Sequence, residues 1–345
     1  MNVHQVLSGA GPYDAVTTQA LAFRERFTSW GWGGRDVAAE IDPRIGDRIA
    51  PLRSLRAGEI GSDDVLLVHY SAYAPKLRGV LELPQRKLLI SHNITPARWF
   101  WDHDPQAGVV CALGRKQLPR FAAAVDVAAG VSLYNAREFG SDTVIPILFD
   151  PAGLGQPGRD EPAGPPTILF VGRLAPHKRQ DAVIRAFELY RRRHAPDARL
   201  VLVGAPINWP YDAAMRELAE ATSPGNVTIE SGLTREQLAE RWRSAHAFVC
   251  LSEHEGFCIP LLEAFHFGVP VIARAIGGVP EVAGDAALLL GDEDDENVAA
   301  ELLALVVADG ELRSTLRERG AARVAAYAPE RTARTLRDAL EALAA

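Results

Sequence analysis

The feature that most limits how this chain can fold is the apolar run Ala247–Leu251 together with the segment that follows it. Five consecutive apolar residues predict a buried strand of a parallel sheet. Gly256 then gives the chain the freedom for a tight loop, and Pro260 suits the first turn of a helix, where a missing N–H has no consequence. This order places Glu255 on a loop at the carboxyl end of a strand. We expect Glu263 in the first turn of the helix, where the helix dipole favours a carboxylate.

The order strand, loop, helix recurs along the 345-residue chain, and this alternation predicts an α/β fold of two Rossmann-like, doubly wound domains. Residues 151–166 are rich in proline and glycine, which indicates a linker. The predicted boundaries are an N-terminal domain at 1–150, the linker, a C-terminal domain at 167–326 and a terminal helix in 327–345. With 48% hydrophobic residues, each domain can bury a core of ordinary size.

Short apolar runs locate the strands of both halves. In the N-terminal half they predict a parallel sheet of about six strands, including Val3–Leu7, Val65–Tyr70, Lys87–Ser91, Asp126–Val131 and Thr143–Leu148. In the C-terminal half they predict strands at Thr167–Val171, Arg199–Val203, Asn226–Glu230 and Val269–Ala273, besides the one already described. A helix is expected over residues 16–27 and another over residues 107–124.

The loop after the first predicted strand contains Gly9 and Gly11, and a helix follows it. A strand, a glycine-rich turn and a helix can bind phosphate through main-chain N–H groups. A dinucleotide-binding fingerprint would have a third glycine at position 14, where this chain has Asp14, and this difference argues against a dehydrogenase. A tight turn without ligand contacts is the alternative interpretation.

The C-terminal half contains two charged motifs. One is Glu255-x7-Glu263, and the other is Gly172-Arg173-x4-Lys178, which directly follows a predicted strand. Together they resemble the motifs of retaining, nucleotide-sugar-dependent glycosyltransferases of the GT-B fold, family 4 in particular. The resemblance implies that Glu255 holds hydroxyls of the donor sugar and Glu263 the ribose, while Arg173 and Lys178 bind the diphosphate. It also implies that the two domains face a central cleft and that the terminal helix crosses back to the first domain. Either motif alone would be more typical of ordinary surface charges.

The same resemblance implies further donor contacts from loop residues at strand ends. They are Gly9, Gly11, Gly172, Gly232, Leu233, Gly256, Phe257, Cys258 and Ile259. Cys258 departs from the family, which usually has a small residue, most often glycine, after the Gly-Phe pair. Its side chain either narrows the sugar site or points into the domain. Asp14 is expected to meet the acceptor.

His92 follows a predicted strand, and the resemblance implies that it faces the donor sugar near the C6 hydroxyl. A structural histidine bonded to the next loop is the alternative. Trp99 and Trp101 either belong to the core, line an acceptor pocket or rest on a membrane surface. The helix at 107–124 carries basic residues that either meet anionic lipid headgroups or form a solvated face, namely Arg115, Lys116 and Arg120.

The reaction implied by the resemblance is the transfer of a hexose from a nucleotide-diphosphate sugar, GDP-mannose or a UDP-hexose, to a saccharide, lipid-linked or small-molecule hydroxyl. The catalytic residues would be His92, Glu255, Arg173 and Lys178. No side chain is an evident nucleophile, which favours same-face attack in which the departing phosphate takes the acceptor proton. No cofactor is expected, since the nucleotide sugar is a co-substrate, and no metal ligands are assigned because fixed cations replace the metal.

Three other functions compete with this one. A nucleotide-sugar-binding subunit without turnover would bind the donor but not transfer it. A phosphorylase of the same fold would need phosphate and no nucleotide. A two-carboxylate glycosidase is less consistent, because it would have no use for Arg173 and Lys178.

Charge and cysteine content restrict partners and compartment. The net charge of −7 argues against a nucleic-acid-binding surface. Cys111, Cys250 and Cys258 form no C-x-x-C pair, which favours reduced thiols in a cytoplasmic protein. No secretory signal and no apolar run near the ~20 residues of a spanning helix is present, so we expect any membrane contact to be peripheral, at the inner face and through the N-terminal domain.

Overall fold

The computed structural model describes residues 1–12, 14–55, 60–158 and 162–345. These residues form two compact units. The first comprises Met1–Arg98, Gln106–Leu148 and Tyr327–Ala345, and the second comprises Trp99–Pro105 and Phe149–Ala326. The predicted linker at 151–166 falls in the second unit, and its residues 159–161 lie outside the described residues.

Each unit contains a parallel six-stranded sheet, as the alternation of strands and helices predicts. The strands of the first unit are β1 (Val3–Leu7), β2 (Asp36–Ala38), β3 (Ala50–Pro51), β4 (Val65–Tyr70), β5 (Arg86–Ser91) and β6 (Val127–Gly130), in the spatial order β3-β2-β1-β4-β5-β6. The strands of the second unit are β7 (Thr167–Val171), β8 (Arg199–Val203), β9 (Val227–Glu230), β10 (Ala247–Cys250), β11 (Val271–Arg274) and β12 (Ala287–Leu290), in the order β12-β11-β10-β7-β8-β9.

Helices connect and cover these strands. Those in the described residues are α1 (Ala15–Ser29), α2 (Arg78–Leu81), α3 (Pro105–Ala122), α4 (Leu133–Arg137), α5 (Gln180–Arg193), α6 (Trp209–Thr222), α7 (Arg235–Ser244), α8 (Ile259–His266), α9 (Val279–Ala283), α10 (Glu296–Ala308), α11 (Gly310–Ala326) and α12 (Pro329–Ala344). Within the part of the chain that the structure describes, no helix is long and apolar enough to cross a lipid bilayer.

The central strands of both sheets are largely buried, which is why their sequences are rich in apolar residues. β1, β4 and β10 have no exposed residue. In the first unit, α12 packs along β4 and β5 and buries Leu336 and Leu340 completely. The terminal residues of the chain therefore complete the core of the first unit.

The prediction that Thr143–Leu148 form a strand is wrong. These residues lie beside β6 but form only one bridge to it, between Val144 and Gly130. The first sheet reaches six strands through β2 and β3 instead. With three and two residues, these strands are too short to leave a periodic pattern in the sequence.

Residues 99–105 pack with the second unit, although the sequence assigns them to the N-terminal domain. The ring of Phe100 contacts the ring of His177 edge to face, with 5.9 Å between centroids. The carbonyl oxygen of His103 accepts a hydrogen bond of 2.7 Å from Asn208 Nδ2, and Asn208 caps α6. These contacts fix the segment to the loops at the carboxyl edge of the second sheet.

Candidate functional site

The centre of the candidate site is an ion pair between two strand-end loops of the second unit. Lys178 follows β7 and Glu255 follows β10, and these two strands are hydrogen-bonded neighbours in the sheet. Lys178 Nζ donates to Glu255 Oε1 at 2.6 Å, and the side chains are only 19% and 7% exposed. The sequence therefore located both residues correctly at one edge of one sheet.

The charges of this pair stabilise each other against burial. Burial raises the pKa of Glu255, but the attraction of Lys178 and hydrogen bonds from Lys178 and Ser252 outweigh it, so the pKa lies below its usual range. Burial lowers the pKa of Lys178, and the Glu255 carboxylate more than compensates, so that pKa lies above its usual range. Both groups are charged at neutral pH.

Main-chain contacts hold the Glu255 loop from two sides. The N–H of Glu253 donates to the carbonyl of His177 at 2.8 Å, which ties this loop to the Lys178 loop. The N–H of Gly278 donates to the carbonyl of Glu255 at 3.0 Å. A Cβ on Gly277 would lie 2.0 Å from that carbonyl oxygen, and Gly277 has a φ of 58°. Sequence reasoning assigned no role to the Gly277-Gly278 pair, which positions Glu255.

A buried polar chain shapes the loop that bears Arg173. Tyr211 Oη donates to Gln180 Oε1 at 2.9 Å, and Gln180 Nε2 donates to the carbonyl of Arg173 at 3.0 Å. Gln180 is completely buried, whereas Arg173 is exposed. The loop that begins at Gly172 is therefore fixed through its main chain, and the guanidinium of Arg173 extends from it.

Cys258 has a backbone conformation that usually favours glycine, with a φ of 69°. In this loop it is Cys258 and not Gly256 that has a positive φ. The Cys258 side chain is 7% exposed, and its Sγ lies 3.9 Å from Cys250 Sγ. Of the two alternatives for Cys258, the structure therefore supports the inward orientation.

Phe257 and Ile259 flank Cys258 and complete the short connection into α8. Phe257 is 3% exposed, and Ile259 is the first residue of the helix. The predicted donor contacts Gly232 and Leu233 lie elsewhere on the same sheet edge, directly after β9. Gly232 has a φ of 71° and is exposed.

The sequence placed Glu263 in the first turn of α8, and this prediction is wrong. The helix begins at Ile259 and has no acidic residue in its first turn, so the helix dipole does not explain this carboxylate. Burial raises the pKa of Glu263 to about 7. Its Oε2 atom is buried and makes no hydrogen bond of ordinary geometry among the described residues, although the Trp242 indole lies close enough to lower the pKa of the carboxyl in part. A buried carboxylate oxygen of this kind is suited to hydroxyl donors of a ligand.

His92 of the first unit is the end of a hydrogen-bonded chain that starts at Gln5. Gln5 Nε2 donates to Ala20 O and to Asp36 Oδ1, both at 2.8 Å, so its Oε1 faces His69. His69 Nε2 therefore donates to Gln5 Oε1 at 2.9 Å, and His69 Nδ1 accepts from His92 Nε2 at 2.9 Å. This order leaves Nδ1 of His92 as a hydrogen-bond acceptor.

Burial keeps both imidazoles of the chain neutral. It lowers the pKa of His92 to about 3 and lowers that of His69 well below the usual value, with the neighbouring His92 ring contributing in the latter case. The alternative of a structural histidine bonded to the next loop is not what the structure shows, since the partner of His92 lies on β4. Sequence reasoning missed Gln5.

The first loop is closed by its own hydrogen bonds. The N–H of Gly11 donates to Thr17 Oγ1 at 3.1 Å, and Thr17 Oγ1 donates to Asp14 Oδ2 at 2.7 Å. Asp14 also caps α1 by accepting from the N–H of Thr17 at 2.8 Å. The expected role of Gly11 toward a phosphate therefore requires its bond to Thr17 to open, whereas Oδ1 of Asp14 takes no part in these bonds. Gly9 lies in the same turn, and a Cβ there would meet nothing closer than 3.9 Å.

The aromatic and basic residues around α3 differ in exposure. Trp101 is 45% exposed and Trp99 is half-buried. Arg115 is not part of a solvated face, because it pairs with Glu138 at 2.6 Å and donates to the carbonyl of Ile94. Lys116 and Arg120 are exposed and border a cavity of about 390 Å³ in the first unit.

Strained backbone conformations concentrate at these positions. Among the described residues, the non-glycine residues with positive φ are Asn93, Arg179 and Cys258. Each lies next to, or in the same loop as, a predicted site residue, namely His92, Lys178 and Glu255. Such conformations cost about 1–3 kcal/mol each and persist where the surrounding structure imposes them.

Known proteins resemble this chain both in sequence, over much of the second unit, and in fold. The profile of the family described as "Glycosyl transferases group 1" matches residues 157–323. O-antigen chain mannosyltransferase B of Escherichia coli is 30% identical over 135 residues, which are 39% of this chain and 35% of that protein. The GDP-mannose-dependent monoacylated alpha-(1-6)-phosphatidylinositol monomannoside mannosyltransferase of Corynebacterium glutamicum is 30% identical over 238 residues, 61% of either chain. The matched parts thus span about a third and three fifths of these curated relatives.

The fold is shared over a longer range. The structure of sucrose-phosphate synthase from Thermosynechococcus elongatus is similar over 99% of this chain and 98% of that chain, with a TM-score of 0.78 and 19% identity. At this identity the likeness concerns the fold alone. Residues 157–323 are therefore similar to the glycosyl transferases group 1 family, and the two six-stranded parallel sheets, together with this likeness in structure, show that the chain has the GT-B fold.

Proposed function

We propose that this chain is a glycosyltransferase that moves a hexose from a nucleotide-diphosphate sugar to a hydroxyl group, with retention at the anomeric carbon. The observation that carries the proposal is the buried ion pair of Lys178 and Glu255 at the carboxyl ends of neighbouring strands. Ligands of open α/β sheets bind at that edge. Both relatives described above are mannosyltransferases, and one of them is described as GDP-mannose-dependent, which favours GDP-mannose over a UDP-hexose as the donor.

The cations would stabilise the leaving group. Cleavage of the bond between the anomeric carbon and the diphosphate increases the negative charge on the β-phosphate. Lys178 is held by Glu255, so it can meet that charge with little reorganisation. Arg173, exposed on the same loop, can bind phosphate oxygens with its planar fork.

The carboxylates would hold the donor rather than move protons. Lys178 occupies Oε1 of Glu255, and the other oxygen of this ionised carboxylate can accept hydrogen bonds from sugar hydroxyls. Oε2 of Glu263 can accept from the ribose hydroxyls. His92 is neutral and offers Nδ1 as an acceptor for a hydroxyl of the sugar.

Same-face attack accounts for retention without a protein nucleophile. The acceptor oxygen bonds to the anomeric carbon on the side from which the diphosphate leaves. The departing phosphate oxygen takes the acceptor proton, so Glu255 does not need to act as a base. The acceptor would be a saccharide, a lipid-linked saccharide or a small-molecule hydroxyl.

The test begins with a thermal-shift screen of GDP- and UDP-sugars, followed by donor hydrolysis and transfer with the best binder. We expect stabilisation by one nucleotide sugar, turnover that EDTA does not abolish, and a product with the donor's anomeric configuration by NMR. Lys178→Ala should lose turnover, whereas Lys76→Ala, which removes an exposed lysine of the first unit, should keep it.

Other outcomes would select the competing functions. Donor binding without hydrolysis or transfer indicates a nucleotide-sugar-binding subunit. Release of a sugar 1-phosphate that requires phosphate and no nucleotide indicates a phosphorylase. An inverted product would leave a glycosyltransferase but refute same-face attack.

A further inference from the structure

Three buried side chains bring metal-binding atoms together beside the Lys178–Glu255 pair. One ligand atom from each of Cys250, Cys258 and Glu255 lies within 4.8 Å of the others. The residues are 3%, 7% and 5% exposed. The glycosyl transfer proposed above uses Glu255 but neither thiol, so the pair of cysteines is unexplained by it.

Two of the three distances between ligand atoms are close to those of a tetrahedral zinc site. With Zn–S bonds of about 2.3 Å and Zn–O bonds of about 2.0 Å, tetrahedral geometry places two sulfurs about 3.8 Å apart and a sulfur and an oxygen about 3.5 Å apart. Here the two Sγ atoms are 3.9 Å apart, and Cys250 Sγ is 3.7 Å from Glu255 Oε1. The ligand atoms of Cys258 and Glu255 lie within 4.8 Å of each other, so an ion would enter as the Glu255 carboxylate moves toward the two sulfurs.

The donor set and its charges select the type of ion. Two thiolates favour Zn²⁺ and similar thiophilic ions over Mg²⁺ or Ca²⁺, which prefer oxygen ligands. Two thiolates and the Glu255 carboxylate carry three negative charges, which the positive charges of a divalent ion and Lys178 balance. Ser252 Oγ, 3.2 Å from Cys250 Sγ, or a water molecule can complete four-coordination.

The strained backbone conformation of Cys258 indicates that its thiol has a role besides packing in the core. Its φ of 69° is one that glycine adopts without cost, whereas a residue with a Cβ is strained by about 1–2 kcal/mol. The strained residue places its sulfur against the only other thiol of the second unit, since the third cysteine, Cys111, lies in the first.

We propose that Cys250, Cys258 and Glu255 form a binding site for a thiophilic divalent cation such as Zn²⁺, and that the bound ion inhibits the protein by drawing Glu255 away from Lys178 and the donor sugar. The site stands without the proposed function, and only the inhibition rests on it. Metal binding and turnover are therefore measured separately.

The first measurement is binding to the full chain, reduced and kept under nitrogen, without any nucleotide sugar. Titration with Zn²⁺ against a fluorescent chelator should give one equivalent bound. Co²⁺ in its place should give the intense visible bands of a tetrahedral site and a sulfur-to-cobalt charge-transfer band. Free-thiol counting on the same sample should give three thiols in the metal-free protein.

The variants separate the site from adventitious binding. Loss of an outer-shell partner alone weakens metal sites about 10–100-fold, so Cys250→Ser and Cys258→Gly should weaken zinc binding by at least about a hundredfold. Cys258→Gly also relieves the backbone strain, so its loss of binding cannot be attributed to misfolding. Cys111→Ser, which removes the thiol of the first unit, should bind zinc like the parent protein.

The second measurement is zinc sensitivity of donor hydrolysis, taken for each variant relative to its own zinc-free rate. The parent protein and Cys111→Ser should be inhibited by one equivalent of Zn²⁺, and Cys250→Ser should not. Sub-stoichiometric binding, binding unchanged by the variants, or a disulfide between Cys250 and Cys258 in the purified protein would each overturn the site. Full binding without inhibition would overturn the inhibitory role.

Discussion

Gly277 and Glu255 approach each other so closely that a Cβ atom on Gly277 would lie 2.0 Å from the carbonyl oxygen of Glu255. The contact joins the loop after β11 to the loop after β10, which are paired strands. A residue without acidic, basic or nucleophilic chemistry thus determines where the carboxylate of Glu255 lies.

We expect Gly277→Ala to displace the Glu255 loop and to reduce donor binding by tenfold or more, because the clash is with main chain that cannot rotate away. The free energy of unfolding should fall by about 1–3 kcal/mol. Gly225→Ala is the matched control, since Gly225 has a φ of 74° but nothing within 4 Å of a Cβ. It should lose stability through φ alone and keep donor affinity. Equal donor affinity in both variants would contradict the positioning role.

Lys178→Met should cost both stability and turnover. Breaking a buried ion pair costs about 3–5 kcal/mol, and the 19% exposure of the lysine side chain places the expected loss at the lower end. Lys178→Met with Glu255→Gln should recover much of the stability, because no buried charge remains unpaired. Turnover of the single and of the double variant should both remain at least ten- to a hundredfold below that of the parent protein, because a charged hydrogen bond contributes about 1.5–3 kcal/mol. Denaturant unfolding and donor hydrolysis on the same samples check this. Recovery of turnover in the double variant would show that Lys178 has no role in the chemistry.

Glu263 should make the stability of the ligand-free protein depend on pH. Its pKa is raised to about 7, so the folded state keeps a proton that the unfolded state has already released. The resulting stability is complete below the pKa of the unfolded state and is lost as the pH rises through about 7. The parent protein should therefore lose up to about 3 kcal/mol relative to Glu263→Gln between about pH 5 and pH 8.

The same carboxylate should affect donor binding in the opposite direction. Ribose hydroxyls bind an ionised carboxylate more strongly than a neutral carboxyl, so donor affinity of the parent protein should rise between about pH 6 and pH 8, and Glu263→Gln should remove this rise. Glu318→Gln, on an exposed position of α11, is the control and should alter neither profile. An unfolding free energy of the parent protein that does not fall relative to Glu263→Gln would argue that Glu263 is already ionised.

The His69–His92 pair should be neutral well into the acidic range, because burial lowers the pKa of His92 to about 3. Nitrogen NMR should show Nε2 of His92 protonated and Nδ1 unprotonated between about pH 5 and pH 8. His92→Gln assigns the resonance, and Gln5→Leu should make the tautomer mixed because His69 then has no fixed acceptor. Doubly protonated His92 at pH 6, or a protonated Nδ1 in the parent protein, would contradict the hydrogen-bonded chain.

The parts of the fold that could be predicted are those whose signals lie in residues adjacent in the sequence. β1, β4, β7 and β8 lie at the residues that their apolar runs predict, and the local capping box of Thr234 and Gln237 starts α7. Lys178 and Glu255 were located because each follows such a strand. The apolar run at 143–148 looks like a strand, yet it packs as an irregular segment, since apolar character alone does not ensure a hydrogen-bonded neighbour.

The parts that could not be predicted depend on which strands are neighbours. Gln5, His69 and His92 form one chain only because β1, β4 and β5 are adjacent. Gly277 reaches Glu255 only because β11 pairs with β10. The spacing of residues along the sequence does not show the order of the strands in the sheet. The inward orientation of the Cys258 side chain depends on the positive φ of this residue. Cysteine rarely adopts a positive φ, so the sequence gives no sign of this conformation.

The path of the chain through the first unit affects how the protein folds during synthesis. Residues 1–148 leave the ribosome early, but α12, which covers β4 and β5 with Leu336 and Leu340, leaves only after all of Phe149–Ala326. The nascent N-terminal half therefore exposes an apolar sheet surface throughout the translation of the second unit. It is a natural client for chaperones during that interval, and a chain truncated at Ala326 would keep that surface exposed and aggregate.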